Sequence, residues 1–549
     1  MTIGLAWGHL ASAASFTWDP ASSGTGSDGN GVWDNSAAFW SNGSGDQVWT
    51  SGTDSLLNSA IFGKGGVAGS VTVNGSQWVQ SMTFNAVSSG TYVITGGTIF
   101  MNGSGAGITA ANNTNVELNS TFGASGTFGL AAATFSVGSG GSLTLSGGAV
   151  IANNQNLQLQ GAGTYYITGG TYNAVSGNFT YWIKSNVVQS AGSVNAGTAG
   201  GGGTTWIGYG GDSVYTLTGT SASLTTGILA ISRGNVGMFD LKQGLVTVSS
   251  TLVRIGTDNA GTLTVEGGTF NATNAVANIN EGAATKLATA NIQGGLTQLK
   301  GIQFGGVAAT TFTTGSAVLN MSSGTLNLGA NGITNAYNGT LTTKTNLSGG
   351  VIGMISGVSA WTSTVDMNLS TGVNGNVSFK PDVSGTITLQ GKLTGSGGFD
   401  KLGAGTLLLT AANDYQGGTV VSAGILRTDM VGTLGAGDVF VGSVGTLSLG
   451  NNLSINNLAD LSFDLGAVIQ LGYDGTLTLN SLSMNGVYMA AGLHSIDELN
   501  NFFGGTTFQQ VSGFASEIYI SSIPEPSALA LLLLGMSVMA VGVRKRFLS

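Results

Sequence analysis

The chain has 549 residues, 94 of them glycine and only 4 proline, with no cysteine and 7% charged residues. High glycine without a Gly-X-Y step excludes collagen, and a hydrophobic fraction of 42% that is patterned excludes a disordered polymer. A net charge of −9 excludes the basic footprint of a nucleic-acid binder, and the missing thiols exclude disulfides, thiolate metal sites and a cysteine nucleophile. With so few charges, the surface has to be built from Ser, Thr, Asn and Gly.

Residues 1–14 carry Ile3, Leu5, Ala6, Trp7 and Leu10, then the small run Ala11-Ser12-Ala13-Ala14. This is the outline of a secretory signal that lacks its leading basic residues, and 1–14 reads as a partial signal peptide. Five of the nine tryptophans, Trp18, Trp33, Trp40, Trp49 and Trp78, follow within 15–100. A stacked-coil protein needs a terminal cap over its first unpaired edge, and clustered tryptophans suit that role. The competing reading is a sugar-stacking platform. Asp28-Gly29-Asn30-Gly31 is an acidic Gly-rich loop, but the nonapeptide series of a calcium-binding solenoid is missing.

From 101 to 484 the chain repeats. Ile207, Ile231, Ile255 and Ile279 are 24 residues apart. Tyr215, Phe239 and Leu263 keep that step, as do Leu217, Leu241 and Val265; Ala222, Val246 and Phe270; Leu224, Val248 and Ala272; and Ile228, Leu252 and Val276. Within a copy, apolar residues fall two apart with polar ones such as Thr216 and Asp240 between, which is strand periodicity. Between copies, equivalent residues would lie above one another if each copy were one coil of a solenoid. A leucine-rich repeat has a similar length but needs a helix or turn on its return side. Here alternation continues all the way round, with Gly219, Gly244, Gly267 and Gly268 at corners. An antiparallel sandwich would need this spacing to be accidental. The expectation is an all-β parallel β-helix of on the order of 16 coils, with rungs ~4.8 Å apart.

One stretch carries a fuller phrase: Lys401-Leu402-Gly403-Ala404-Gly405-Thr406-Leu407-Leu408-Leu409, then Asn413-Asp414-Tyr415-Gln416-Gly417-Gly418-Thr419, then Ala423-Gly424-Ile425-Leu426. It resembles the autotransporter-associated β-strand repeat, over 401–426. The resemblance implies a right-handed parallel β-helix on an exported surface protein and no enzyme activity. The stretch after Leu426 is read as too short for the C-terminal translocation barrel of true autotransporters, so the expectation is a chain that departs from them there.

In 485–520, Ser495-Ile496-Asp497-Glu498 has capping-box spacing for a short helix with Leu499, Phe502 and Phe503 on one face. Phe508, Val511, Phe514, Ile518 and Ile520 are expected to finish the closing strands, so this segment reads as a C-terminal cap. In 521–549, Pro524-Glu525-Pro526 precedes an uncharged run over 527–543 and the basic cluster Arg544-Lys545-Arg546. Seventeen uncharged residues reach about 26 Å as a helix, the lower limit for a bilayer span, with the basic end on the cytoplasmic side. This tail resembles a PEP-CTERM sorting signal. The resemblance implies an exosortase-type processing enzyme as partner, transient anchoring in the inner membrane of a Gram-negative bacterium by a transmembrane helix, and cleavage near Pro524-Glu525-Pro526.

Catalytic chemistry finds little support. Of two histidines, His9 lies in the signal and His494 beside a helix start, with no G-x-S-x-G elbow. Asp258, Glu266, Arg233 and Arg254 form the densest charged patch, whereas glycosidases need two carboxyl groups within roughly 5–10 Å. The expectation is therefore an exported structural or adhesive β-helix with extracellular polysaccharide as partner and no cofactor, metal or catalytic residue. The alternative is a polysaccharide-binding or polysaccharide-degrading enzyme on the same scaffold.

Overall fold

Strands cover more than half of the described residues, and a single short helix lies near the end among them. The computed structural model describes residues 14–50, 57–101, 106–123, 133–152, 157–174, 180–197, 203–282, 286–306, 311–312, 315–373 and 375–522. Contacts divide the chain into two compact units, Met1–Val365 with Gly372–Asn374, and Asp366–Thr371 with Gly375–Ser549.

The first unit is a parallel β-solenoid with three strands per coil. One coil runs through Ser213–Leu217, Ser223–Thr226 and Ile228–Ile231, and the next through Gly237–Leu241, Leu245–Val248 and Leu252–Ile255. Each strand pairs in parallel with its counterpart one coil on. Ile207 sits against Ile231, Ile231 against Ile255 and Ile255 against Ile279, all fully buried. The column extends back through Ile183 and Leu159 to Phe135 and forward to Phe304. Tyr215, Phe239 and Leu263 stack likewise, as do Leu217, Leu241 and Val265. Burial of alternate residues along each strand makes these columns a dry interior, and apolar burial of this kind drives folding at about 25 cal/mol per Å².

Two columns, both on the middle strand, differ from the reading by period. Val246 stacks on Leu224, not on Ala222, and Val248 on Thr226. The coil holding Leu224 spends five residues on the corner 218–222 and one, Gly227, on the next; the following coil spends three on each, 242–244 and 249–251. Two residues have moved between corners, so the period stays at 24 while the middle strand slides by one pleat repeat. Thr226 closes the tight corner by donating its hydroxyl to Ile228 O at 2.9 Å.

Glycine serves the corners for two reasons. Gly268 has φ +63, a left-handed conformation that costs other residues. Gly219 needs space instead, because a Cβ there would come 1.6 Å from Ser190 O of the preceding coil.

At the start of this unit, Ser15–Trp18 pairs antiparallel with Trp40–Ser41 and parallel with Ser59–Phe62, the first of the stacked strands. Trp18, Trp33, Trp40 and Trp49 are fully buried and pack on one another and on Phe62, with ring centroids of Trp33, Trp40 and Trp49 within 5.0 Å pairwise. Only Trp78 of the five lies partly open, stacked on Phe100 one coil on. Asp19 and Asp34, each following a tryptophan, fold turns. Burial opposes ionisation of Asp19, yet hydrogen bonds from Ser23, Ser27 and the Gly26 N–H hold its carboxyl well below the usual range.

The second unit has the same three-stranded parallel coils and contains the family phrase. Lys401 is fully buried, and its Nζ donates to Leu402 O at 2.9 Å, Gly403 O at 2.8 Å and Ala423 O at 2.8 Å. Burial pushes the ammonium down to about 8. Asn413 accepts from the Leu393 N–H and donates to Thr433 O, bridging coils on either side. Tyr415 packs its ring on Phe399 and shares a hydrogen bond with Thr419 at 2.6 Å. Lys401, Asn413 and Tyr415 thus each have a job inside the coil, not on its surface.

Near the end, Ser495 caps the helix Ile496–Phe503 with the full capping box. Leu499 and Phe503 are buried, but Phe502 is 48% exposed, so it does not share their face. Phe508, Ile518 and Ile520 are buried, whereas Val511 and Phe514 lie outside the closing strands and are partly exposed. Ser516–Ile520 pairs parallel with Gly475–Leu479 and antiparallel with Gly492–His494. No helix among the described residues is long and apolar enough to cross a membrane. Residues 1–13 and the tail residues Pro524, Glu525, Pro526, Arg544, Lys545 and Arg546 lie outside the described residues.

Candidate functional site

Most described acids serve local turns and latches, although Asp46 lies within hydrogen-bonding reach of Asp19 and Glu266 lies near Asp240. Asp212 accepts the Val236 N–H, and Asp28 accepts from the Lys64 and Gly66 N–H groups and from the Tyr92 hydroxyl. The latter loop is therefore a latch between coils. No group of three or more His, Asp or Glu gathers as a metal site among the described residues. The charged patch expected from sequence splits. Glu266 lies 3.7 Å from Lys242, while Arg254 faces Glu281 at 3.2 Å, with Asp258 and Arg233 near that pair. Burial raises the Glu281 carboxyl despite the Arg254 charge. His494 places Nε2 2.9 Å from Ala490 O, and Nδ1 3.8 Å from Glu498, a local fastening beside the helix.

Three outward features remain. The first is an aromatic row that sequence reading passed over. Gln158, Trp182, Trp206, Ala230, Arg254 and Asn278 occupy one register position in successive coils. Trp182 and Trp206 stack at 6.1 Å, and Tyr209 closes on both. Ala230 is the short member of the row, and from its coil the Arg233 guanidinium lies 4.0 Å over the Trp206 ring, a cation–π contact. Lys184 lies 5.5 Å over Trp182 and donates to Gln158 at 2.9 Å. The ring faces are occupied by neighbours along the stack, so the row shows solvent mainly edges. Trp182 and Trp206 are 24 residues apart, a signal the period already contained.

The second feature is an amide ladder. Asn346 donates to Asn320 and Asn320 to Asn291, each at 2.9 Å, in register along three coils above Thr264. Asn195 likewise donates to Asn173 at 2.5 Å. Such ladders satisfy half of each amide internally and turn the remainder outward, giving a neutral hydrogen-bonding surface.

The third is a groove of about 390 Å³ in the second unit, lined by Asn452, Leu453, Ile455, Asn456, Asn457, Thr476 and Thr478. It is open, uncharged and mixed in polarity.

Fold and surface together define a parallel β-solenoid whose exterior carries ladders of neutral amides and hydroxyls. Within that class, a family model for the passenger-associated-transport-repeat matches residues 399–427, the segment whose residues were traced above. The chain is also similar to the adhesin BmaC autotransporter of Brucella suis biovar 1 (strain 1330), at 33% identity over 138 residues. That stretch is 25% of this chain and 4% of the adhesin, so the chain spans a small part of its relative's length. No solved structure matches.

Proposed function

We infer that this protein is an exported, non-catalytic adhesive solenoid at the surface of a Gram-negative bacterium, with extracellular polysaccharide as its partner. The observation that carries this reading is the outer surface: rows of hydroxyls and amides one coil apart, with the few acids dispersed or engaged in turns and ion pairs. Periodic neutral donors and acceptors suit many weak hydrogen bonds to a polymer and supply no general acid and base. The likeness to an autotransporter adhesin and to a passenger repeat supports an exported setting. The coil is right-handed, in keeping with the strong preference of parallel crossovers. The Trp cluster over 15–100 and the helix-bearing segment 485–520 act as caps that cover the apolar ends.

Export ends in processing. The run 527–543 holds the chain briefly in the inner membrane, Arg544, Lys545 and Arg546 stay on the cytoplasmic side, and an exosortase-type enzyme cuts near Pro524-Glu525-Pro526. The test is expression in an exosortase-positive host of wild type and of a variant with Pro524→Ala, Glu525→Ala and Pro526→Ala, followed by fractionation and by protease treatment of intact cells. Wild type is expected outside the inner membrane without its tail, and the variant retained with it. Wild type retained intact in the inner membrane contradicts the processing step, and wild type inaccessible to surface protease contradicts the surface role.

A further inference from the structure

The corner 451–458 is built twice over. Asn451-Asn452-Leu453 and Asn456-Asn457-Leu458 make the same turn: the first Asn accepts the Leu N–H through Oδ1, at 2.8 Å and 2.9 Å. In both turns the backbone carbonyl of that Asn also accepts the N–H three residues on, from Ser454 and Ala459. Asn451 is further tied to the preceding coil, donating to Asp429 O and Gly432 O. The first asparagines are therefore structural. The second ones are not: Asn452 and Asn457 are exposed, and their amides have no partner within the described chain. Beside each stands a leucine in solvent, Leu453 at 73% exposure and Leu458 at 77%.

Asn452, Asn457 and Leu453 edge the groove of about 390 Å³, whose floor carries the outward hydroxyls of Thr476 and Thr478. Tyr519 stands next to Thr478, and Glu517 next to Thr476, on the same outer face of the paired strands. The volume falls in the range of small-ligand sites. Free amides offer a donor and an acceptor side by side, which is the pattern presented by neighbouring hydroxyls of a sugar ring, while Leu453 and Tyr519 suit its C–H faces. Charge narrows the class. From 428 to 522 the chain contains eight Asp and Glu and no Lys or Arg, so a uronate or sulfated polymer meets repulsion with nothing to pair with.

We propose that the groove between the two Asn-Asn-Leu turns and Thr476–Thr478 is a binding site for a neutral polysaccharide. This deepens the adhesive reading and rests on it. The site would be one localised contact, distinct from the diffuse ladders of the first unit.

The test uses the purified full chain in affinity electrophoresis against dextran, laminarin and hydroxyethyl cellulose as neutral probes and alginate as an anionic one. Wild type is expected to be retarded by a neutral probe, with retardation unchanged on adding salt because no charge is screened. The double variant Asn452→Ala with Asn457→Ala should weaken that binding at least about tenfold, the scale of one or two lost hydrogen bonds. Its melting temperature should match wild type, since neither amide makes an internal bond. Trp206→Ala, in the other unit, should keep binding. Unchanged retardation of the double variant, retardation by alginate alone, or retardation by none of the neutral probes overturns the proposal. Because these measurements use purified protein, they stand apart from the surface-protease assay. A protein reaching the surface without binding neutral glycan refutes the groove alone, and one that binds but never reaches the surface refutes the adhesive reading alone.

Discussion

Lys401 shows how much a single residue holds. Its ammonium satisfies three backbone carbonyls where two coils meet, in a chain with very few cations. Lys401→Met strands those carbonyls, and the expected cost is about 2–4 kcal/mol, read by urea denaturation at pH 7. The pH dependence has a definite sign. With the folded value pushed down to about 8 and the unfolded one near 10.5, the unfolded chain holds the extra proton between those values. Stability from this group therefore rises as pH climbs from about 8 towards 10.5, and the buried charge weighs fully against folding below that window. Wild type should gain on Lys401→Met between pH 7.5 and 10, measured as the difference in denaturation midpoints. A gap independent of pH would contradict a buried lysine with a lowered value. The lysine, the glycines and Tyr415 were legible as a family phrase, but their purpose was not, because burial of a cation among carbonyls leaves no mark on periodicity.

At the scale of the strand and its corners, inward and outward positions should differ sharply. Ile231→Ala opens a cavity in a column of fully buried isoleucines and is expected to cost about 2–5 kcal/mol, whereas Thr216→Ala, outward in the same coil, should stay within about 0.5 kcal/mol. Equal losses in thermal melts would mean that the alternation has been assigned to the wrong faces. Corners are more exacting than strands. Gly219→Ala drives a methyl into the Ser190 carbonyl of the coil before and should destabilise by about 1–3 kcal/mol, detectable as a lowered melting temperature. The helix near the end gives a milder case: Ser495→Ala removes its capping box for about 1 kcal/mol. Strands were readable because alternation and the 24-residue step reinforce each other. The sliding of Leu224 onto Val246 was not, since two residues traded between neighbouring corners leave the period intact. Phe502 and Phe514 were misplaced for a related reason: on a short terminal element, an apolar residue has few neighbours to bury it.

Across the molecule, the architecture follows from one repeating relation, that residues a period apart become parallel neighbours, and it determines the exterior as surely as the interior. Equivalent outward positions line up, so a tryptophan pair becomes a stacked row and successive asparagines become a ladder. The groove by contrast arises from a corner with its own internal duplication, and its only trace in the sequence is the doubled Asn-Asn-Leu. The central claim can be measured directly because the chain has no cysteine, which leaves a clean background for spin labels. Nitroxides would be attached in the pair Thr216→Cys with Asp240→Cys and in the pair Asn320→Cys with Asn346→Cys, each in register one coil apart. With backbones ~4.8 Å apart, both doubly labelled proteins are expected to show strong dipolar broadening at low temperature. Spectra equal to the sum of the single labels would contradict the stacking on which the account depends.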